Sequence, residues 1–123
     1  MHKMTLPHDH GASLEKRTDC IPKAEDVQAL SDLFRLLGDN SRLRIFWILC
    51  HCDECVINIS AMMDMSSPAV SHHLKMLKAG RLIVSRRDGK EVYYKAADTE
   101  QAKLLHHMIE ELLEIACPET VFQ

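Results

Sequence analysis

The chain has 123 residues, 46% of them hydrophobic, enough for one domain with a single modest core. Its net charge of −3 gives by itself no hint of nucleic acid, and its longest apolar run, around Ile45 to Cys50, falls far short of the ~20 residues that a bilayer span needs. Five cysteines, an odd number, behind an N-terminus with no apolar signal segment argue for reduced thiols in a cytoplasm and against a disulfide framework, a secreted fold or a membrane protein.

Residues 1–22 carry two Pro, one Gly, scattered charge and no apolar period, which reads as a flexible arm bearing His8, His10 and Cys20. A domain over 23–117 and a short tail over 118–123 follow. Val27, Leu30, Leu33, Phe34, Leu36 and Leu37 recur at helical spacing until Gly38 stops the first helix. Asp39 or Asn40 can cap a second helix with Leu43, Phe46, Trp47, Ile48 and Leu49 on its apolar face. At its C-terminal end six consecutive positions read Cys-His-Cys-Asp-Glu-Cys, from Cys50 to Cys55.

"VINISAMMDM" predicts a short third helix. "SSPAVSHHLKMLKAG" has the punctuation of a complete fourth one, with Ser67 at the N-cap, Pro68 at the first helical position and Gly80 just past the end. Val70, Leu74 and Leu77 form its core side. Ser66, Ser67, Ala69, Ser71, His72, His73 and Lys75 form its polar side. Two β-rich runs, Leu82–Val84 and Val92–Tyr94, then flank Asp88-Gly89, a strong hairpin signal. "TEQAKLLHHMIEELLEIA" closes the domain as an amphipathic helix with a narrow seam of Leu105, Met108, Leu112 and Ile115, suited to pairing with another helix.

Charge is unevenly spread along this order. Lys75 to Lys95 holds seven positive residues against two negative, whereas Asp98 onward holds one against six, so the modest average hides one basic face. A short helix, a turn, a well-capped polar helix and a basic hairpin occur in the order of a winged helix-turn-helix. The polar helix fits a major groove, where its small hydroxyls reach base edges and phosphates, and Arg86, Arg87 and Lys90 at the hairpin tip reach the backbone or the minor groove. The bland alternative is a solvated helix beside a solvated hairpin, and the order and tight spacing of the two pieces argue against it.

The segments "LGDNSRLRI", "ECVINIS", "SSPAVSHHLKMLKAGRLI" and "RRDGKEVYYKAAD" cover most of residues 30–115, and together they resemble the ArsR/SmtB family of bacterial metal-responsive repressors. The resemblance implies a mainly α winged helix-turn-helix fold with a small β-hairpin. It also implies a homodimer paired through the first and last helices, bound to double-stranded operator DNA and released by a metal ion. Two metal sites recur in that family. The first implies ligands among Cys50, Cys52 and Cys55 with Cys20, His8 and His10 from the arm, although Ile57 stands where the family's second cysteine falls. Such a thiolate-rich set favours Zn²⁺ or another thiophilic ion of the Cd, Pb or As class.

The second family site, shared between subunits, aligns with Asp98, Glu100, Glu111 and Glu114, an all-carboxylate set; a shifted version would use Asp98, Glu100, His107 and Glu110. Two rivals of the same fold remain at this point. One is a thiol-redox or persulfide sensor using Cys50, Cys52 or Cys55, the other a metal-independent DNA-binding or dimerisation module. An enzyme is disfavoured: His51 beside Cys52 in sequence supplies neither an oxyanion hole nor a substrate pocket.

Overall fold

The computed structural model describes residues 5–8, 10–11 and 18–119; residues 1–4, 9, 12–17 and 120–123, in the arm and tail read from the sequence, lie outside the described residues. The chain falls into two units that meet in sequence between Leu33 and Phe34. Most of α1 (Ala24–Leu37) belongs to the first. Glu25 and Asp26 in its opening turn and Arg35 in its last turn complement the helix dipole. None of its residues is buried, and Val27, Leu30 and Phe34 leave an apolar stripe exposed.

The second unit opens with α2 (Asn40–His51), capped by the Asp39 carboxylate accepting from the Arg42 amide at 3.0 Å. That hydrogen bond is the main reason the Asp39 carboxyl sits below its ordinary pKa. The Arg42 guanidinium then turns back to the end of α1, donating from Nε to the Leu36 carbonyl at 2.8 Å and from Nη2 to the Arg35 carbonyl at 3.3 Å. One side chain thereby satisfies two of the carbonyls that every helix C-terminus leaves without intrahelical partners.

A two-residue strand, β1 (Glu54–Cys55), precedes α3 (Val56–Met63) and α4 (Ser67–Ala79). β2 (Ile83–Asp88) and β3 (Glu91–Ala96) form the hairpin, and α5 (Glu100–Ala116) ends the unit behind a Thr99 cap. The sheet is antiparallel in the order β1-β3-β2, with Cys55 opposite Tyr93 and Ile83 opposite Ala96. Gly89 takes φ +64° at the first hairpin loop position, a conformation that side-chain-bearing residues rarely adopt. The core joins Ile45, Phe46 and Leu49 of α2 to Ile59 of α3, to Val70, Leu74 and Leu77 of α4, and to Leu82 and Ile83. Val70, Leu74 and Leu77 are the side of α4 expected from their spacing.

Three local expectations need correction. The N-cap of α4 is Ser66, not Ser67: Ser66 Oγ accepts from the Ala69 amide at 3.3 Å, which leaves Ser67 as the first helical residue. Gly80 does not supply a left-handed turn. Its φ is −78°, and Arg81 takes the left-handed position at φ 62°. A Cβ at 80 would meet the Leu36 δ-methyl, so a larger residue there requires the Leu36 side chain to shift. The third correction is β1 itself: the run Cys50–Cys55, expected at the C-terminal end of the second helix, leaves that helix after His51 and ends in a strand.

Candidate nucleic-acid interface

Helices α3 and α4 are joined by three residues and tied by a pair of serines, one midway along α3 and one at the start of α4. The buried Ser60 hydroxyl donates to the Val56 carbonyl at 2.8 Å and lies 3.2 Å from Ser67 Oγ. Ser66 and Ser67 are exposed, so each hydroxyl serves the helix-turn-helix while still facing solvent. Ser71, His72 and Lys75 are exposed further along α4, and Ala69 is half-buried.

His73 departs from the expected polar face. It follows Val70 by three residues on the inner side of α4, its side chain is 15% exposed, and its Nδ1 lies 4.0 Å from Asp39 Oδ2. That buried nitrogen has no hydrogen-bond partner among the described residues. His73 therefore joins the recognition-type helix to the N-cap of α2 and does not extend the outer donor set.

In the hairpin, Arg86 is committed within the chain. Its guanidinium is 3.3 Å from Asp53 Oδ2 and 3.7 Å from Asp88 Oδ2, and it lies 4.9 Å above the Tyr93 ring centroid. Arg87 and Lys90 are exposed, with no side-chain ion pair among the described residues. At the hairpin tip the cations left for an outside anion are thus Arg87 and Lys90.

The sequence-derived metal donors are scattered over different environments. His8 and His10, in the first unit, stack with ring centroids 5.9 Å apart, and Cys20 of that unit is exposed. In the second unit Cys55 is buried in β1, Cys52 is exposed and Cys50 is half-buried. Within the second unit Cys50, Cys52 and Cys55 do not come together as a group of three ligand atoms among the described residues. The shifted carboxylate set does not converge within one chain either. Asp98 pairs with Lys103 at 2.8 Å, His107 with Glu111 at 3.2 Å, and Glu110 with His106 at 2.8 Å. His106, absent from the sequence-derived site, instead meets both Glu110 and His51. The i, i+4 pairs Trp47/His51 and His106/Glu110 were legible in the sequence; their meeting was not.

Burial, and after it the negative charge of Glu110, pushes the Cys50 thiol up to about 12. In metal-free, reduced protein at pH 8, Cys50 should react with iodoacetamide roughly 10³-fold more slowly than a thiol at its ordinary value, because its thiolate fraction is lower by that factor. Peptide mapping by mass spectrometry measures this directly; labelling of Cys50 as fast as exposed Cys117 would contradict the described environment.

A tied helix pair, a second helix with an open polar face, and an antiparallel hairpin carrying exposed cations define a winged helix-turn-helix, a DNA-binding module. Residues 39–85 match the model of the bacterial regulatory protein, arsR family. A transcriptional repressor SmtB homolog of Synechocystis is 37% identical over 90 residues, covering 73% of this chain and 68% of that protein. The cadmium resistance transcriptional regulatory protein CadC of Listeria innocua is 43% identical over 70 residues, 56% of this chain and 59% of that one. In structure, the homodimeric winged helix-turn-helix DNA-binding domain of a possible ArsR-family regulator from Mycobacterium bovis matches with a TM-score of 0.66 at 22% identity, covering 94% of this chain and 99% of that one. The chain belongs to the arsR family, whose members are DNA-binding transcriptional regulators and not enzymes. Among the described residues no helix is long and apolar enough to cross a membrane.

Proposed function

We propose that the protein is a homodimeric cytoplasmic repressor that binds a pseudo-palindromic operator and leaves it when a thiophilic or borderline metal ion binds. The observation that carries the DNA-binding half is the open face of α4, with Ser71, His72 and Lys75 exposed, followed along the chain by exposed Arg87 and Lys90 on the hairpin. Self-association is supported by apolar surface that a lone chain leaves wet. Of the seam expected on α5, Met108, Leu112 and Ile115 are exposed together with Leu104, whereas Leu105 turns inward and is buried in the chain's own core; Val27, Leu30 and Phe34 of α1 are exposed as well. Between α2 and α5 runs an apolar groove of about 530 Å³, lined in part by Leu43, Trp47, Ile48, Ile109 and Leu112. A two-fold dimer through the first and last helices would cover these faces and place two copies of α4 about one DNA turn apart.

Metal as effector is supported by relatives named for cadmium resistance and for the SmtB type, and by the density of Cys and His donors where α2 ends. The test is operator affinity of fully reduced protein with and without Zn²⁺, Cd²⁺ and Pb²⁺. A coupling of ~1–3 kcal/mol, or about 5–150-fold weaker binding, is expected for at least one ion. Equal affinity with every ion would sink metal-driven release.

A further inference from the structure

His51 stands on the last turn of α2, and His106 and Glu110 stand one turn apart on α5. His106 Nε2 is 3.2 Å from His51 Nε2 and 2.8 Å from Glu110 Oε1. The three ligand atoms all lie within 4.8 Å of one another, the one such group of three among the described residues. Trp47, one turn before His51, contacts both imidazoles, with ring centroids 4.4 Å from His51 and 5.3 Å from His106. A single indole thus holds both rings in the orientation that brings their Nε2 atoms together.

Protons satisfy this arrangement poorly. A neutral imidazole carries one N–H, so His106 Nε2 either donates to Glu110 or offers a lone pair to His51. If it donates to Glu110, the His51 nitrogen receives only an off-line share of that hydrogen. If it accepts from His51, its own lone pair faces the carboxylate. A cation satisfies all three atoms together. Tetrahedral zinc with Zn–N bonds of about 2.0–2.1 Å separates two nitrogen ligands by roughly 3.3 Å, close to the spacing of the two Nε2 atoms. The carboxylate, on a partly exposed side chain, needs only a small rotation to open its own spacing. Cys50 adjoins the group: with His106 it lines a small cavity between α2, the end of β3 and α5.

We propose that His51, His106 and Glu110 form an intrachain site for a divalent cation of the zinc class, with Cys50 or water in the fourth position. Two imidazoles and a carboxylate select borderline ions such as Zn²⁺ and Co²⁺ over the purely thiophilic ones. The site uses α5 without a partner subunit, and it uses none of Cys52, Cys55, His8, His10 or Cys20. An ion there fastens the end of α2 to α5, three residues before β1 and five before α3 begins. As a binding site it stands by itself; as the sensing site it rests on the metal-released repressor reading.

Trp47 is the only tryptophan and lies against two ligands, so it is a built-in reporter. Co²⁺ titrated into full-length, reduced, anaerobic protein should quench its fluorescence to an endpoint of one ion per chain. A visible absorption band of four-coordinate intensity should grow in parallel. The H51Q/H106Q double variant should bind at least tenfold more weakly, whereas C52S/C55S should bind as the wild type does. Circular dichroism and metal-free operator binding check that each variant is folded, since none of these side chains lies on the outer face of α4 or at the hairpin tip. Absence of quenching in the wild type, or undiminished quenching and stoichiometry in H51Q/H106Q, would overturn the site. Operator affinity with Zn²⁺ in the same samples separates the two claims. Wild-type protein that binds Co²⁺ through these residues yet keeps its operator affinity with Zn²⁺ upholds the site and removes zinc-driven release, leaving release by Cd²⁺ or Pb²⁺ to the other ions of the operator test. Equal Zn²⁺-driven release by H51Q/H106Q and wild type upholds release and overturns this site as the sensor.

Discussion

Replacing Arg87 and Lys90 together with alanine should weaken binding to operator and to unrelated duplex alike, by about tenfold or more at moderate salt. It should also make the salt dependence shallower by roughly 0.9 for each phosphate that the hairpin no longer neutralises. The effect is expected to be large because these two cations are exposed and have no ion-pair partner among the described residues, so nothing in the chain already screens them. Arg86 supplies the internal control. Its guanidinium is shared among Asp53, Asp88 and the Tyr93 ring, so Arg86→Ala should change the salt slope less than either neighbour does. Fluorescence anisotropy across a salt series gives all these slopes. An unchanged slope in the double variant would remove the hairpin from the DNA interface.

The second large effect is on stability. Arg42→Ala should lower unfolding free energy by about 1.5–3 kcal/mol, the range for hydrogen bonds to a charged group whose partners are left without one. The Leu36 and Arg35 carbonyls would be left without their donor, and the hydrogen bond from Arg42 Nη1 to the Met76 sulfur at 3.5 Å would disappear as well. Arg42→Lys should recover little, because an ammonium cannot reach two carbonyls and a thioether with the geometry of a planar fork. Urea unfolding at one fixed protein concentration reads both variants, since self-association would otherwise shift the midpoint. A midpoint equal to wild type in Arg42→Ala would mean that water replaces the guanidinium without loss.

Much of the order of elements was legible because several boundaries have a local chemical sign. Asp39 and Thr99 accept from amides three residues on, and Gly89 takes the positive φ of a tight hairpin. What escaped had weaker local signs or none. Two adjacent serines are equally good caps by type, and only backbone geometry chooses Ser66. Two residues of β1 are too few to show a period. His73 was misplaced although its spacing from Val70 and Leu77 was visible, because histidine counts as polar while its ring packs readily against a core. Exposure along α4 and at the hairpin tip was therefore read more fully than burial along the inner edge of α4. The donor cluster was the least legible, since 55 residues separate His51 from His106 and only the packing of α5 beside α2 brings them together.

The short strand β1 also joins the hairpin to the helix pair. Glu54 pairs with Tyr94 and Cys55 with Tyr93, while Asp53, one residue earlier, holds Arg86 on the opposite side of β3. The hairpin is therefore tied to the segment that leads into α3, by the β1–β3 ladder on one side of β3 and the Asp53–Arg86 ion pair on the other, which makes the hairpin and the helix pair two jaws of one caliper. A deletion of one residue between Cys52 and Glu54 would shift the pairing by one and flip the strand's side chains, misaligning both jaws at once.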